Sequence, residues 1–151
     1  MAATESRAIN PLGHPLDGSI TVPGDKSISH RAVLFSAMAE GTSRVTGVLD
    51  SDDVRASIEA VQKLGAKVSL EKQQDGSLSG GIEGWGTKGP KQPDGPIYCA
   101  NSGTTARLLM GVLAPWDIEV RIEGDESLSK RPMRRITAPL MKMGVDFDPA
   151  G

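Results

Sequence analysis

Apolar positions along this chain recur with two different periods, and the switches between them are marked by glycine, proline and capping residues. Residues 19–22 read as a strand, and 26–40 as a helix closed by Gly41. A second strand at 43–48 leads into LDSDD, where Asp50 or Ser51 can cap a helix whose first turn holds Asp52 and Asp53, favourable beside its dipole. That helix runs to Leu64-Gly65, and 67–70 resumes as strand. Nine of the seventeen residues in 80–96 are Gly or Pro, which predicts a loop or short hairpin. The pattern then starts again: strand 97–99, helix 103–114, strand 118–123, helix 132–143 with Pro132 at its first position, and strand 145–147.

Laid side by side, the two halves are a repeat. Strand-GDKSISHR matches strand-ANSGTTAR, with Arg31 opposite Arg107, RVTG matches VRIEG, and KLGAKV matches KMGVDF. The offset of about 76 residues rises to 79 after an insertion in GDESLSKRP. Two copies of such a unit predict an α/β fold with parallel strands joined by helical crossovers. AVLFSAMA and ARLLMGVLA are apolar almost all round, so these helices are expected to be buried on every side. VRIEG instead alternates apolar and charged, so the expected layering is reversed, with helices inside and half-wet sheets outside.

Length alone permits one complete domain, because a chain of 151 residues can bury roughly 70% of its unfolded surface. Only 3% of the residues are aromatic, so aliphatic side chains must fill the interior. The formal charge of −2 excludes the broad positive field of a general nucleic-acid binder, although local basic clusters remain. Cys99 has no disulfide partner, and neither it nor His14 and His30 stands at a metal-ligand spacing, which fits a reducing cytoplasm. No run approaches the ~18 apolar residues of a membrane span, and MAATESRAINPLGHPL lacks the form of a signal peptide. Residues 1–17 read as an arm or linker.

Three segments carry chemistry. In GDKSISHR, Lys26 and Arg31 fall in the first turns of a helix, where the dipole disfavours cations by ~0.3–1 kcal/mol. With Ser27, Ser29 and free backbone N–H groups they form a candidate phosphate cradle, while a capped helix with basic residues facing water accounts for the same spacing. A Walker loop is excluded, because Asp25 separates Gly24 from Lys26 and Gly18 stands one place too far. In ANSGTTAR, Gly103 admits an anion close to main-chain N–H groups. In SLSKRPMRR four cations crowd a helix start, and Arg131, fixed by the following proline, is the best candidate for a bidentate clamp. Three anion-adapted helix starts suggest small substrates bearing several phosphate or carboxylate groups.

PGDKSISHRAVLFSAMAEG, ANSGTTARLLMG and GDESLSKRPM, in this order, closely resemble the amino-terminal part of the bacterial type of the EPSP synthase (3-phosphoshikimate 1-carboxyvinyltransferase) family, from about Leu16 onward. The resemblance implies transfer of the enolpyruvyl group of phosphoenolpyruvate to the 5-hydroxyl of shikimate 3-phosphate, with no metal or organic cofactor. It implies that Lys26, Ser27 and Arg31 hold shikimate 3-phosphate and that Lys26 also faces phosphoenolpyruvate. Gly103 and Arg131 would bind phosphoenolpyruvate in a pocket shaped by Asn101. Ser102, Thr104 and Arg107 match the motif as supports, and His30 is expected to be structural. Lys26 is the only local candidate for proton transfer, since Asp50, Asp52 and Asp53 are explained by helix capping.

The family fold is two lobes, each of three strand-helix-strand-helix-strand-strand units with helices inside. By that resemblance the chain supplies an arm (1–17) and two units of one incomplete lobe, about 18–82 and 97–151, ending at Asp148-Pro149-Ala150-Gly151. The third unit and the carboxy-terminal lobe with its acidic catalytic residues would be missing, and the fragment inactive alone. The implied partners are the two anionic substrates, glyphosate as inhibitor and the missing lobe, with no nucleic acid or membrane. Two alternatives stay open: a non-catalytic phosphate-ester-binding module, and an enzyme like UDP-N-acetylglucosamine enolpyruvyl transferase, which Lys26-Ser27 and KRPM fit less well.

Overall fold

A computed structural model describes residues 7–11 and 13–148. The elements in chain order are α1 (Lys26–Met38), β1 (Thr42–Val48), α2 (Asp52–Lys63), β2 (Lys67–Lys72), β3 (Leu78–Glu83), a 3-10 turn at Gly86–Lys88, β4 (Ile97–Tyr98), α3 (Gly103–Leu113), β5 (Ile122–Glu123), α4 (Glu126–Ser129) and α5 (Arg134–Lys142). Helix starts follow their caps. The Asp25 carboxylate accepts from Ile28 N, Ser51 Oγ from Val54 N, and Ser102 Oγ from Thr105 N. Ser51, not Asp50, is therefore the cap of α2. Asp50 instead holds Arg55 at 2.6 Å and Lys72 at 3.1 Å.

The larger sheet has the order β1-β3-β2, with β3 antiparallel to both neighbours. The expected crossover is present, since α2 joins β1 to β2 and the two run parallel, but β3 lies between them. β3 was not expected as a strand: its Gly80-Gly81 pair hides the alternation. Those glycines belong inside the sheet, because a Cβ on Gly80 would stand 2.0 Å from Ser69 O. The Asp75-Gly76 turn before it was the available hairpin signal. β4 and β5 form a second, parallel pair joined by α3.

Three predicted strands shrink or fail for one physical reason, the absence of a neighbouring backbone to pair with among the described residues. Residues 19–22 form none, leaving Ile20 and Val22 89% and 70% exposed, and 145–147 form none either. Of 118–123 only Ile122–Glu123 pairs; at Glu119 the side-chain amide of Gln92 takes the place of a strand, donating to Glu119 O and accepting from its N–H. Helix α5 begins at Arg134, not Pro132, because Arg131 N is tied back to Leu128 O while Met133 O receives Ile136 N and Thr137 N. The proposed arm at 1–17 and the terminal residues fall partly outside the description, at 1–6, 12 and 149–151.

Helices α1, α2 and α3 pack on one another behind the sheet, and a single aliphatic core runs through both halves. Leu34, Val54, Val61, Leu64, Ile82, Ile97 and Leu109 are fully buried, each stabilising the fold by about 1.5–3 kcal/mol. On β2, Val68 and Leu70 turn inward while Lys67, Ser69 and Glu71 face solvent. The reversed layering is thus observed. Burial of α1 on every side is not: Ile28, Phe35 and Met38 remain exposed, because α2, α3 and the sheet cover only its opposite face.

Candidate functional site

The site grows from the amino-terminal ends of α1, α2 and α3, which meet at one end of the helix layer. Before α1, Gly24 lies against β1, where a Cβ would stand 2.1 Å from Gly47 O, so no other residue lets the chain enter the helix at that height. Ser29 Oγ then donates to Asp25 O at 2.7 Å and accepts from Leu49 N at 2.9 Å, fastening the first turn of α1 to the strand end.

Lys26, Ser27 and Arg31 share the exposed first turns of α1. The Arg31 guanidinium donates to Ser27 O at 3.0 Å, and Lys26 Nζ reaches Asp53 Oδ2 on the first turn of α2 at 2.6 Å. Asp53 therefore does more than complement a helix dipole. It holds the Lys26 ammonium over the gap between two helix starts, and its main-chain oxygen accepts from Thr105 Oγ1 on α3 at 3.2 Å.

At α3 the turn is set by Ala100, held in the left-handed region at φ 47°, with its oxygen accepting from Asp125 N. Asn101 follows. Arg131 donates through Nη1 to Asn101 O at 3.2 Å and through Nη2 to Asn101 Oδ1 and, at 3.3 Å, to Ser127 Oγ. Gly103 faces two guanidiniums: a Cβ there would stand 2.6 Å from Arg107 Nη1 and 3.0 Å from Arg131 Nη1. Among the described residues no carboxylate pairs with either group within salt-bridge distance. Two cations converging on a bare main-chain position at a helix amino terminus repel each other, and an anion seated there relieves that repulsion beside the positive end of the helix dipole.

A buried polar chain ties the two groups together. His30 Nδ1 and Ser57 Oγ are 2.8 Å apart, Ser57 Oγ and Thr105 Oγ1 2.8 Å, and Thr105 Oγ1 and Ser102 Oγ 2.7 Å. His30 immediately precedes Arg31 and Ser102 immediately precedes Gly103, so the chain locks both anion-facing turns against α2. Burial holds the imidazole below its ordinary value of 6.5, and His30 Nε2 has no partner. The Asp125 carboxyl lies below its usual range, chiefly through the Asn101 side-chain amide and then Leu128 N.

The structure thus brings Asn101, Gly103 and Arg131 into contact, and groups Lys26, Ser27 and Arg31 separately. Lys26 touches none of the first three; the connection runs through Asp53 and Thr105. Of the four cations at the third segment, only Arg131 turns into the site. Lys130 pairs with Glu126, and Arg134 and Arg135 are exposed. Sequence reasoning missed Asp53 and Asp125, the two acids that hold site residues. Asp125 had a local signal, as a cap residue ahead of a short helix, whereas nothing local marks Asp53 as the partner of a lysine 27 positions away. Among the described residues no group of three or more His, Cys, Asp or Glu could hold a metal ion, and no helix is long and apolar enough to cross a membrane.

A sequence profile described as EPSP synthase (3-phosphoshikimate 1-carboxyvinyltransferase) matches residues 12–149. The 3-phosphoshikimate 1-carboxyvinyltransferase of Parvibaculum lavamentivorans is 51% identical over 145 residues, which are 96% of this chain and 31% of that protein. The Hydrogenovibrio crunogenus protein of the same name is 48% identical over 138 residues, 91% of this chain and 30% of its own length. An EPSP synthase structure from Acinetobacter baumannii superposes with a TM-score of 0.76 at 46% identity, covering 85% of this chain and 28% of that one. The chain therefore spans about a third of the length of the relatives it matches. With three motifs, the layered fold and the whole matched length in agreement, this chain belongs to the EPSP synthase family.

Proposed function

We propose that these residues form part of the anion-binding surface of an enzyme that transfers the enolpyruvyl group of phosphoenolpyruvate to the 5-hydroxyl of shikimate 3-phosphate, releasing phosphate. The observation that carries this reading is the convergence of Arg107 and Arg131 on the vacant Cβ position of Gly103. Phosphoenolpyruvate occupies the Gly103 and Arg131 group beside Asn101. Shikimate 3-phosphate lies on Lys26, Ser27 and Arg31. Both substrates are polyanions that repel in water; fixed cations at rigid helix starts neutralise and orient them, an effect worth ~7–11 kcal/mol in favourable cases.

The reaction needs a base for the hydroxyl and an acid for the methylene carbon. Lys26 is the group in this surface assigned to proton transfer, with Asp53 paired to it at 2.6 Å and Asp125 engaged by Asn101 and Leu128 N. The 151 residues by themselves accordingly bind rather than turn over. They supply two repeat units of one lobe, about 18–82 and 97–151, with 1–17 as an arm toward a second, carboxy-terminal lobe. Glyphosate, a small carboxylate with a phosphonate, competes at the Gly103 group, and the enzyme works in the cytoplasm.

Titration calorimetry on this chain tests the reading. Both substrates bind, Arg131→Ala removes phosphoenolpyruvate binding, and Ser27→Ala with Arg31→Ala removes shikimate 3-phosphate binding. Substrate affinities that ignore these substitutions overturn the site, and turnover by the isolated chain overturns its inactivity.

A further inference from the structure

The connection between β5 and α5, residues 124–133, is longer than its counterpart in the first half, where only 49–51 separate β1 from α2. This extra turn brings α4 and, with it, Asp125 and Arg131. Asp125 links α4 to the turn that carries the anion site, its main-chain O accepting from Ser129 N and Oγ on α4. Its N–H donates to Ala100 O at 2.9 Å, its Oδ1 accepts from Leu128 N at 2.7 Å, and its Oδ2 accepts from Asn101 Nδ2 at 2.7 Å.

A side-chain amide has a donor end and an acceptor end of nearly equal shape, so its direction is decided by its partners. An ionised carboxylate only accepts, and Asp125 therefore draws the Nδ2 end of Asn101 to itself and turns the Oδ1 end to Arg131. Reversal would set oxygen against carboxylate and N–H against guanidinium. Once turned, Asn101 and Ser127 engage three of the five guanidinium N–H groups of Arg131, fixing its plane and leaving the second N–H of Nη1, the atom beside Gly103, for a ligand there.

We infer that Asp125 is a positioning residue for the anion site, orienting the Asn101 amide and through it the Arg131 guanidinium beside Gly103. The inference extends the proposed function by naming what aims its clamp, and it rests on that reading for the identity of the anion.

Asp125→Asn separates positioning from stability and from charge. Asn caps a helix as well as Asp, so α4 is retained. With its oxygen on Leu128 N, however, the new amide presents N–H to Asn101 Nδ2 and the relay breaks. Removing a negative charge near Arg131 should by itself tighten anion binding, so a positioning effect has the opposite sign. With inorganic phosphate as the probe, NMR titration of the full chain should show at least a fivefold weaker response at the Gly103 amide and an unchanged response at Ser27. In the free protein the Arg131 Nη signals, distinct in the parent, should coalesce in Asp125→Asn and separate again in the Asp125→Asn, Asn101→Asp exchange, which rebuilds both hydrogen bonds. Distinct Arg131 signals in the single variant, or phosphate affinity at Gly103 equal to or above the parent's, overturn the inference. A parent that shows no phosphate response at Gly103 overturns the proposed function instead, and the free-protein signals still decide the positioning.

Discussion

Gly103→Ala should make this protein more stable and a worse anion binder at the same time. Gly103 opens α3 with ordinary helical geometry, so alanine there should stabilise the helix by up to about 1 kcal/mol through reduced backbone freedom. The new methyl group would stand 2.6 Å from Arg107 Nη1 and 3.0 Å from Arg131 Nη1. Both atoms are ends of flexible side chains, so they yield without unfolding anything, but they move away from the position at which an anion meets them, and the methyl occupies that position. Loss of one guanidinium–anion hydrogen bond removes about 1.5–3 kcal/mol, which is roughly 10- to 150-fold in affinity. Calorimetric titration with phosphoenolpyruvate and with glyphosate reads the affinity, and urea unfolding reads the stability. Gly111→Ala is the control, since that position is exposed on the same helix with nothing within 4 Å of its added Cβ; it should stabilise and leave binding alone. A stable Gly103→Ala chain that binds both ligands as tightly as the parent refutes the assignment of this space to the anion.

The buried polar chain yields a stability prediction: Thr105→Val strips a hydroxyl that serves Ser57, Ser102 and Asp53 O, and should lower the urea-unfolding free energy by about 1–3 kcal/mol. Acid sensitivity has two windows. The folded-state pKa of His30 lies below 6.5, so the unfolded chain binds the proton first and stability should fall as pH drops below about 6.5. Asp50, Asp75 and Asp125, all lowered from 3.8, add a second loss only as pH falls through that value and below. Urea midpoints between pH 7.5 and 5.0 should therefore slope in the parent and flatten in His30→Asn. Burial raises the Cys99 thiol to about 11, so a thiol reagent at pH 8 should label it only after denaturation; rapid labelling of the native chain would contradict its place in the core.

What the sequence determined by itself lay among features governed by neighbours within a turn or two. Ser51, one of the two caps that LDSDD offers, lies beside the apolar period it caps, and the apolar stretches of α1 and α3 announce helices, although α1 leaves one face exposed. The cations at the starts of α1 and α3 were legible because a dipole acts over one turn, whereas Arg131 follows α4 and stands three residues ahead of α5. Tertiary structure decided the pairings. Residues 19–22 and 145–147 carry strand-like patterns and remain unpaired, while the glycine-rich β3 pairs on both edges, because a strand is stabilised by a partner backbone rather than by its own composition. It likewise decided that Asp53 meets Lys26, that Asp125 meets Asn101 across 24 positions, and that Arg107 and Arg131 face one glycine. Caps and periods are local energies that a short window contains. A site made of opposed charges depends on which helix ends the core brings together, and that is a property of the packed chain.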